Sequence, residues 1–251
     1  MSQSVRRALE VVELLAGTPR SPSDVAEVLD THRSTALRLL QTLVDAGYAR
    51  RLPDGRYSLG YRMIGLAQRA QEQFDLRTIG HPHLVGLTAQ TGCTTHLAAI
   101  DNGHVVYVDK VEPTDSPRIL SQIGRPVPLH TASAAKAILA HLPSDRLDLL
   151  LDGWAFTRHS VSTITTREGF LADLAAARER GYAIDDGEYE AYINCIAVPV
   201  RDATGDVVAS VSVTALRALR DLDSLRADLP RLLQTATDIS RDLGWVANRM
   251  E

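Results

Sequence analysis

The segment 21–48 constrains the fold of this chain most strongly, because it predicts two helices joined by a tight turn. A hydroxyl at Ser21 followed by Pro22 is typical of a helix start, and Gly47 is typical of a helix end. The later of these two helices, residues 32–46, has apolar residues at helical spacing on one side and polar residues on the other. This pattern is typical of a helix-turn-helix unit.

We expect the apolar sides of these two helices, and of an earlier helix over residues 4–16, to be buried together. The residues assigned to the buried sides are Val5, Leu9, Val12 and either Leu15 or Ala16 in the first helix, Val25, Ala26, Val28 and Leu29 in the second, and Ala36, Leu37, Leu40, Leu43 and Val44 in the third.

A short basic hairpin follows the third helix. Residues 48–52 and 56–59 are strand-like runs on either side of an Asp54-Gly55 turn, which is the order of elements in a winged helix-turn-helix. The start of the third helix would then reach base edges in the major groove, and the wing would lie near phosphates. The predicted DNA-binding residues are Arg33, Ser34, Thr35, Arg38, Arg50, Arg51 and Arg56. The alternative is an ordinary small α+β unit with solvated arginines.

The charge distribution favours the DNA-binding interpretation. Residues 1–70 contain ten arginines, no lysine and seven acidic residues, whereas residues 71–251 contain 17 basic and 24 acidic residues. The net charges are therefore +3 and −7. A basic first module on an acidic larger body suits a chain in which one part meets nucleic acid and the other has a separate task.

Several classes of protein are disfavoured by the sequence. No apolar run approaches ~18 residues and the N-terminus lacks the apolar core of a signal peptide, so no membrane association is expected. Cys93 and Cys195 lie far apart and outside any CxxC pattern, which favours a reducing cytoplasm over a disulfide framework. His81 and His83 are a weak metal pattern without a third ligand, and His130 suits a local backbone contact better. We expect no metal and no cofactor.

The rest of the chain predicts an α+β domain with an antiparallel sheet. An Asn102-Gly103 turn separates the strand-like runs 94–100 and 104–111, further strands are expected at 182–184, 195–201 and 207–214, and the hairpin pairing disfavours a parallel sheet. The helices are predicted at 76–90, 133–142, 165–180 with a capping box at Thr165 and Glu168, and 224–243. The predicted domains are residues 1–60 for the DNA-binding domain, 61–75 for a linker helix and 76–251 for the larger domain.

Several ordered blocks of the sequence resemble the IclR-type family of bacterial transcriptional regulators. The blocks are 4–10, 33–40 and 54–60 in the first module, and 128–130, 136–137, 182–190 and 195–200 in the second. The family pattern of a small residue, glycine and lysine is Ala134-Ala135-Lys136 here, and its Ser-Gly-Pro is Val213-Thr214-Ala215. The resemblance implies a GAF-like effector domain that binds a small organic molecule, often a carboxylate, and alters how the winged helices of a dimer or tetramer bind operator DNA.

The resemblance also implies the ligand-binding residues. By match to the family pattern, they are Ile119, Ser133, Ala134, Asp185, Ile193, Cys195, Ser212 and Thr214. The free amides at the start of the helix near Ser133 would suit a carboxylate. Each residue also has a simpler interpretation: Cys195 as a small core residue, Ser212 and Thr214 as ordinary strand alternation, and Asp185 as part of a solvated turn.

The predicted function is therefore a sequence-specific DNA-binding regulator, repressor or activator, that responds to a metabolite. Its expected partners are double-stranded operator DNA, a small-molecule effector and a second copy of the chain, as a homodimer or a dimer of dimers. Two alternatives belong to other classes: an architectural DNA-binding protein without a ligand, and a metabolite-processing enzyme. The enzyme is disfavoured because no nucleophile elbow, HExxH or comparable signature is present, and no catalytic residue is predicted.

Overall fold

The computed structural model describes residues 3–66, 75–101, 103–114 and 119–246 of the 251-residue chain. The chain divides into two compact units, residues 1–74 and 75–251. The linker helix predicted at 61–75 lies partly outside the described residues, and residues 62–66 of it are helical.

The first unit contains three helices and a two-stranded sheet. They are α1 (Gln3–Gly17), α2 (Pro22–Val28), α3 (Arg33–Asp45), β1 (Ala49–Arg51) and β2 (Tyr57–Leu59). The predicted cap at Ser21 is part of a capping box, since its hydroxyl accepts from the amide of Asp24 and the Asp24 carboxylate accepts from the amide of Ser21. Gly47 has a φ of 80° directly after α3, which ends the helix as predicted.

The core of the first unit is smaller than the sequence predicted. Its buried apolar residues are Val11, Leu15, Val25, Ala26, Ala36, Leu40, Leu43, Ala49 and Tyr57. The predictions for Val5, Leu9, Val28 and Leu37 were wrong, because their side chains are exposed. The apolar face of each short helix is wider than the part that its neighbours cover, so periodicity alone overestimated burial.

The hairpin lies at the predicted position. Strands β1 and β2 pair antiparallel with Ala49 opposite Leu59, and Gly55 in the turn has a φ of 84°. The winged helix-turn-helix order predicted from the sequence is confirmed.

The second unit is a five-stranded sheet with helices on both faces. Its helices are α4 (Leu76–Thr91), α5 (Ser133–Leu139), α6 (Ser144–Leu151), α7 (Arg167–Arg180), α8 (Leu222–Arg226) and α9 (Leu229–Asp242), and its strands are β3 (Thr94–Asp101), β4 (His104–Val111), β5 (Ala183–Asp186), β6 (Ile193–Arg201) and β7 (Val207–Leu216). The strand order is β4-β3-β7-β6-β5, and every neighbouring pair is antiparallel. The predicted α+β class with an antiparallel sheet is confirmed.

Alternate residues of the central strands face two different layers. Leu97, Ile196 and Val213 belong to a core shared with α4 and α9. Ala98 and Ala197 belong to a second core, which includes residues of α5 and α7. Because side chains alternate along a strand, each central strand contributes to both layers.

Two helix predictions in this unit need correction, and one helix was not predicted. The helix predicted at 224–243 is two helices, because Pro230 lies in the first turn of α9 and has no amide to continue α8. The cap predicted at Thr165 is at Thr166, whose hydroxyl accepts from the amide of Gly169. Helix α6 was not predicted, because Ser144–Leu151 is a short segment without a side-chain cap. The predicted turn residue Asn102 lies outside the described residues.

Candidate functional site

A cavity of about 330 Å³ lies on the α5 side of the sheet. Strands β3–β7 contribute one side chain or more each, and the start of α5 and the segment 119–128 complete the wall. The lining residues are His96, Tyr107, Ile119, Leu120, Ser121, Gln122, Arg125, Pro126, Val127, Pro128, Ala132, Ser133, Asp185, Tyr189, Glu190, Ile193, Cys195 and Thr214.

The sheet register explains why these side chains meet. Asp185 is opposite Cys195, and Cys195 is opposite Thr214, so the three side chains form one row on one face. In the adjacent row His96 is opposite both Ser212 and Lys110. Polar residues of all five strands therefore converge on one face of the sheet.

A chain of polar contacts crosses the floor of the cavity. The Ser133 hydroxyl donates to Cys195 Sγ over 2.8 Å, and Sγ lies 3.0 Å from the hydroxyl oxygen of Thr214. That hydroxyl lies 3.4 Å from His96 Nδ1. Burial raises the pKa of the Cys195 thiol to about 11, so the floor presents a neutral thiol and hydroxyls at neutral pH.

His96 and Tyr107 form an aromatic side of the cavity. Their ring centroids are 4.5 Å apart, and His96 Nε2 lies 2.7 Å from the hydroxyl of Ser121. Burial, with a smaller contribution from nearby Lys110, lowers the pKa of His96 to about 3. His96 is therefore a neutral imidazole that can both donate and accept a hydrogen bond.

Asp185 places a carboxyl group against the cavity. It is 6% exposed, and one oxygen accepts the amide hydrogen of Glu188 over 2.7 Å. Burial raises its pKa to about 6, against opposing contributions from the Glu188 amide and Lys136. The group therefore changes its protonation state close to neutral pH.

Arg125 is the fully charged cation among the described lining residues, and it is exposed. The acidic lining residues are Asp185, which is buried, and Glu190, which is half-buried, and the other polar lining groups are neutral. A small molecule with an anionic group near Arg125 and hydroxyl groups near the floor would match this distribution of charge.

Six of the eight predicted ligand residues line the cavity: Ile119, Ser133, Asp185, Ile193, Cys195 and Thr214. Ala134 does not, because it is buried within α5, where its carbonyl accepts from the Ser210 hydroxyl. Ser212 is also outside the lining. It is fully buried on the same sheet face, and its hydroxyl has no hydrogen-bond partner among the residues that the structure describes.

Three further cavity residues, His96, Tyr107 and Arg125, were not predicted from the sequence. His96 lies in the predicted strand 94–100. Side chains alternate between the two faces of a strand, so this alternation could have identified His96 as facing the cavity. Arg125 lies in a segment without regular structure, and no pattern in the sequence marks it.

The predicted DNA-binding residues lie in two elements of the first unit. Arg33, Ser34, Thr35 and Arg38 are in the first half of α3, and Arg50, Arg51 and Arg56 are in the hairpin. All except Thr35 are exposed, and Thr35 is half-buried. The first unit thus presents a basic surface on both elements.

These arginines differ in whether their guanidinium groups already have a partner. Arg56 is paired with Asp54 at 2.7 Å, and Arg50 donates to the Ser58 hydroxyl over 3.0 Å. Among the described residues, Arg33, Arg38 and Arg51 have no carboxylate partner. Those three guanidinium groups are available to phosphates or base edges without first breaking an ion pair.

The three histidines that the sequence raised as possible metal ligands each have a hydrogen-bond partner. His130 Nε2 donates to the carbonyl of Thr157 over 3.0 Å, and His81 and His83 contact Asp109 and Asp242 respectively. No cluster of three or more metal-binding side chains occurs within the described residues. In the same part of the chain, no helix has the length and apolar character needed to cross a membrane.

Comparisons with known proteins give one consistent family. The family described as "IclR helix-turn-helix domain" matches residues 4–53, and "Bacterial transcriptional regulator IclR C-terminal" matches residues 68–241. The HTH-type transcriptional regulator XynR of Escherichia coli is 33% identical over 248 residues, covering 98% of this chain and 98% of XynR.

Solved structures give the same family. The Thermotoga maritima IclR structure has 32% sequence identity and a TM-score of 0.65, covering 96% of this chain and 98% of that chain. An IclR homolog from Microbacterium hydrocarbonoxydans, complexed with 4-hydroxybenzoate, has 26% identity and a TM-score of 0.62, covering 96% of this chain and 99% of that one. The relatives are regulators, not enzymes, and this chain belongs to the IclR family of bacterial transcriptional regulators.

Proposed function

We propose that this chain is a transcriptional regulator whose operator binding is controlled by a small organic carboxylate. The first unit binds double-stranded DNA through α3 and the hairpin. The second unit binds the effector in the cavity beside α5. The domain limits are those expected from the sequence, with a linker at 61–75.

The observation that carries the proposal is the polar floor of the cavity in the second unit. Ser133, Asp185, Cys195 and Thr214 come from four separate elements and converge on a space of about 330 Å³. That volume falls in the range of small-molecule sites, which combine apolar walls with a few convergent polar groups. A domain that only supported the DNA-binding unit would gain nothing from such a space, since an unfilled cavity costs stability.

Two features favour a carboxylate with hydroxyl groups as the effector. Arg125 offers a cation beside the cavity, and the amides at the start of α5 have no partner within the helix. The relative from Microbacterium hydrocarbonoxydans was crystallised with 4-hydroxybenzoate, which combines a carboxylate and a hydroxyl. A hydroxyl on the ligand could donate to Asp185, whereas a carboxylate there would require a proton between the two groups.

Effector and operator binding should be coupled by about 1–3 kcal/mol, in either direction. We infer that the coupling acts through a homodimer or a dimer of dimers, whose two winged units contact half-sites about 34 Å apart. Pairing two modules also supplies affinity that a module of net charge +3 lacks alone.

The experiment has two steps. Thermal unfolding of the full chain against a panel of hydroxylated carboxylates, with 4-hydroxybenzoate included, should identify a compound that stabilises the protein. That compound should then change the affinity for a promoter fragment selected from genomic DNA. If no compound in the panel changes the unfolding temperature, the architectural alternative without a ligand is favoured.

A variant of the cavity tests whether the response to the compound depends on this site. Ser212 is fully buried between His96 and Ala197 in the sheet register, so Ser212→Leu should push into the floor and abolish the response to the compound. Its affinity for DNA without the compound should stay unchanged. A retained response would place the effector elsewhere.

A further inference from the structure

The sequence has two lysines, Lys110 and Lys136, and 25 of its 27 lysine and arginine residues are arginines. Both lysines lie in the second unit next to the cavity, and neither lines it. A lysine is a compact charge with three donors, whereas an arginine is a planar fork. The contacts of the two ammonium groups therefore explain why lysine and not arginine stands at these positions.

Lys136 has a fully buried side chain between two carboxylates. Its Nζ lies 2.7 Å from Glu188 Oε1 and 2.9 Å from Asp173 Oδ2. A buried ammonium group is tolerated only with such partners, and removing one side leaves an uncompensated charge. The contact therefore ties α5 to the segment that contains Glu188.

That segment is one wall of the cavity. The Glu188 amide donates to Asp185, and the Glu188 carbonyl accepts from the hydroxyl of Thr163 over 2.6 Å. Asp185, Tyr189 and the next residue, Glu190, all line the cavity. Lys136 thus holds this wall segment from outside the cavity, through its ion pair with Glu188.

Lys110 has the same relation to another part of the wall. Its Nζ donates to the carbonyls of Ile119 and Ser121 over 2.6 Å and 3.2 Å, and it pairs with Glu112 at 2.9 Å. Ile119 and Ser121 both line the cavity, and residues 119–121 belong to no helix or strand. The segment pairs with β4 only further along the chain, at Gly124, Pro126 and Val127. At residues 119–121 the ammonium group binds carbonyls that no strand pairs with.

We propose that Lys110 and Lys136 are positioning residues of the effector cavity: each holds one wall segment in place from outside the cavity. The proposal rests on the effector function proposed above. It concerns the shape of the cavity itself, so it can be tested without a ligand.

The two cysteines provide a local measurement of wall position. Cys195 lies on the floor of the cavity, and Cys93 is buried in the core on the opposite face of the sheet. Displacement of a wall segment should expose Cys195 alone. General destabilisation of the unit should expose both thiols.

The experiment uses the full chain with Lys110→Met or Lys136→Met. Each protein is treated with methyl methanethiosulfonate at mildly alkaline pH, and the modification rates of Cys93 and Cys195 are read separately by peptide mass spectrometry. Removing a charged hydrogen bond should raise the Cys195 rate by roughly tenfold or more and leave the Cys93 rate unchanged. Arg167→Met, which removes an exposed ion pair with Asp148 in the same unit, is the matched control and should change neither rate.

If Lys136→Met does not fold, the neutral variant Lys136→Met/Asp173→Asn/Glu188→Gln replaces it, because it removes the buried charges together. An unchanged Cys195 rate, or equal acceleration of both thiols, would overturn the positioning role of the lysine concerned. A negative ligand panel would instead contradict the proposed function and leave the thiol result standing.

Discussion

The Cα of Gly60 lies so close to the backbone carbonyl of Gly47 that a Cβ at residue 60 would overlap the carbonyl oxygen. The Gly60 amide donates to the carbonyl of Tyr48 over 2.8 Å. This close approach joins the end of α3 to the end of the hairpin. It fixes the wing relative to the helix that we expect to enter the major groove.

Gly60→Ala should therefore destabilise the first unit. The new methyl group meets backbone rather than a flexible side chain, and we expect a loss of about 2 kcal/mol or more together with weaker DNA binding. Urea unfolding of the full chain measures the first effect. Gly65→Ala is the control, because a Cβ at residue 65 meets nothing within 4 Å, and equal stability of the two variants would contradict the prediction.

Arg38→Ala should weaken binding to a selected promoter fragment. Arg38 is exposed on α3 and has no carboxylate partner among the described residues, so its charge is available to a phosphate. The slope of log affinity against log salt should fall by about one unit per chain if the contact is to phosphate. Arg146→Ala, an exposed change in the second unit, should leave affinity and slope as in the parent; the same result for Arg38→Ala would remove it from the interface.

Thr214→Val should reduce effector affinity by about tenfold, since it deletes a hydroxyl from the cavity floor and keeps the side-chain volume. The hydroxyl lies 3.0 Å from Cys195 Sγ. Calorimetric titration with the compound found by thermal shift measures the loss. Thr95→Val deletes an equally buried hydroxyl on the other sheet face, 2.7 Å from Thr88, and should leave effector affinity unchanged. Equal losses in both variants would mean that the effect is one of stability.

Asp185 should make the fold less stable as the pH rises. Its folded-state pKa of about 6 lies above the ordinary value of 3.8, so its contribution to stability is full below about pH 4 and is lost as the pH approaches 6. Asp185→Asn should therefore be more stable than the parent above pH 6, by at most about 3 kcal/mol. Urea unfolding at pH 4 and pH 8 tests this.

The neighbouring Asp186→Asn is the control for that pH series. Asp186 forms a partly exposed ion pair with Arg217 at 3.0 Å, so its replacement should not stabilise the protein at pH 8. A parent protein and Asp185→Asn variant with parallel pH profiles would show that the Asp185 carboxyl is ionised without a penalty.

The sequence predicted those elements that are specified by a few neighbouring residues along the chain. The Asp54-Gly55 turn, the left-handed closures at Gly47 and Gly181, and the strand alternation of β6 and β7 all occur where expected. Each depends on a residue's own conformational preference or on its nearest neighbours along the chain. Local signals were therefore sufficient for the fold class.

Burial and the cavity depend on contacts between distant residues, which a single sequence does not show. The exposure of Val5 and Leu9 depends on how much of α1 its neighbours cover. His96 and Arg125 line the same cavity as Asp185 because of strand order and the path of an irregular segment. The six ligand residues found at the cavity came from the family resemblance, because their types alone fit an ordinary strand equally well.

The alternation of the central strands has an evolutionary consequence. In the proposed effector cavity, substitutions at Cys195 or Thr214 would alter what is recognised, whereas their neighbours Ile196 and Val213 pack into the opposite layer. Recognition can thus diverge among descendants of one ancestral scaffold while the hydrophobic layer that keeps it folded is inherited intact.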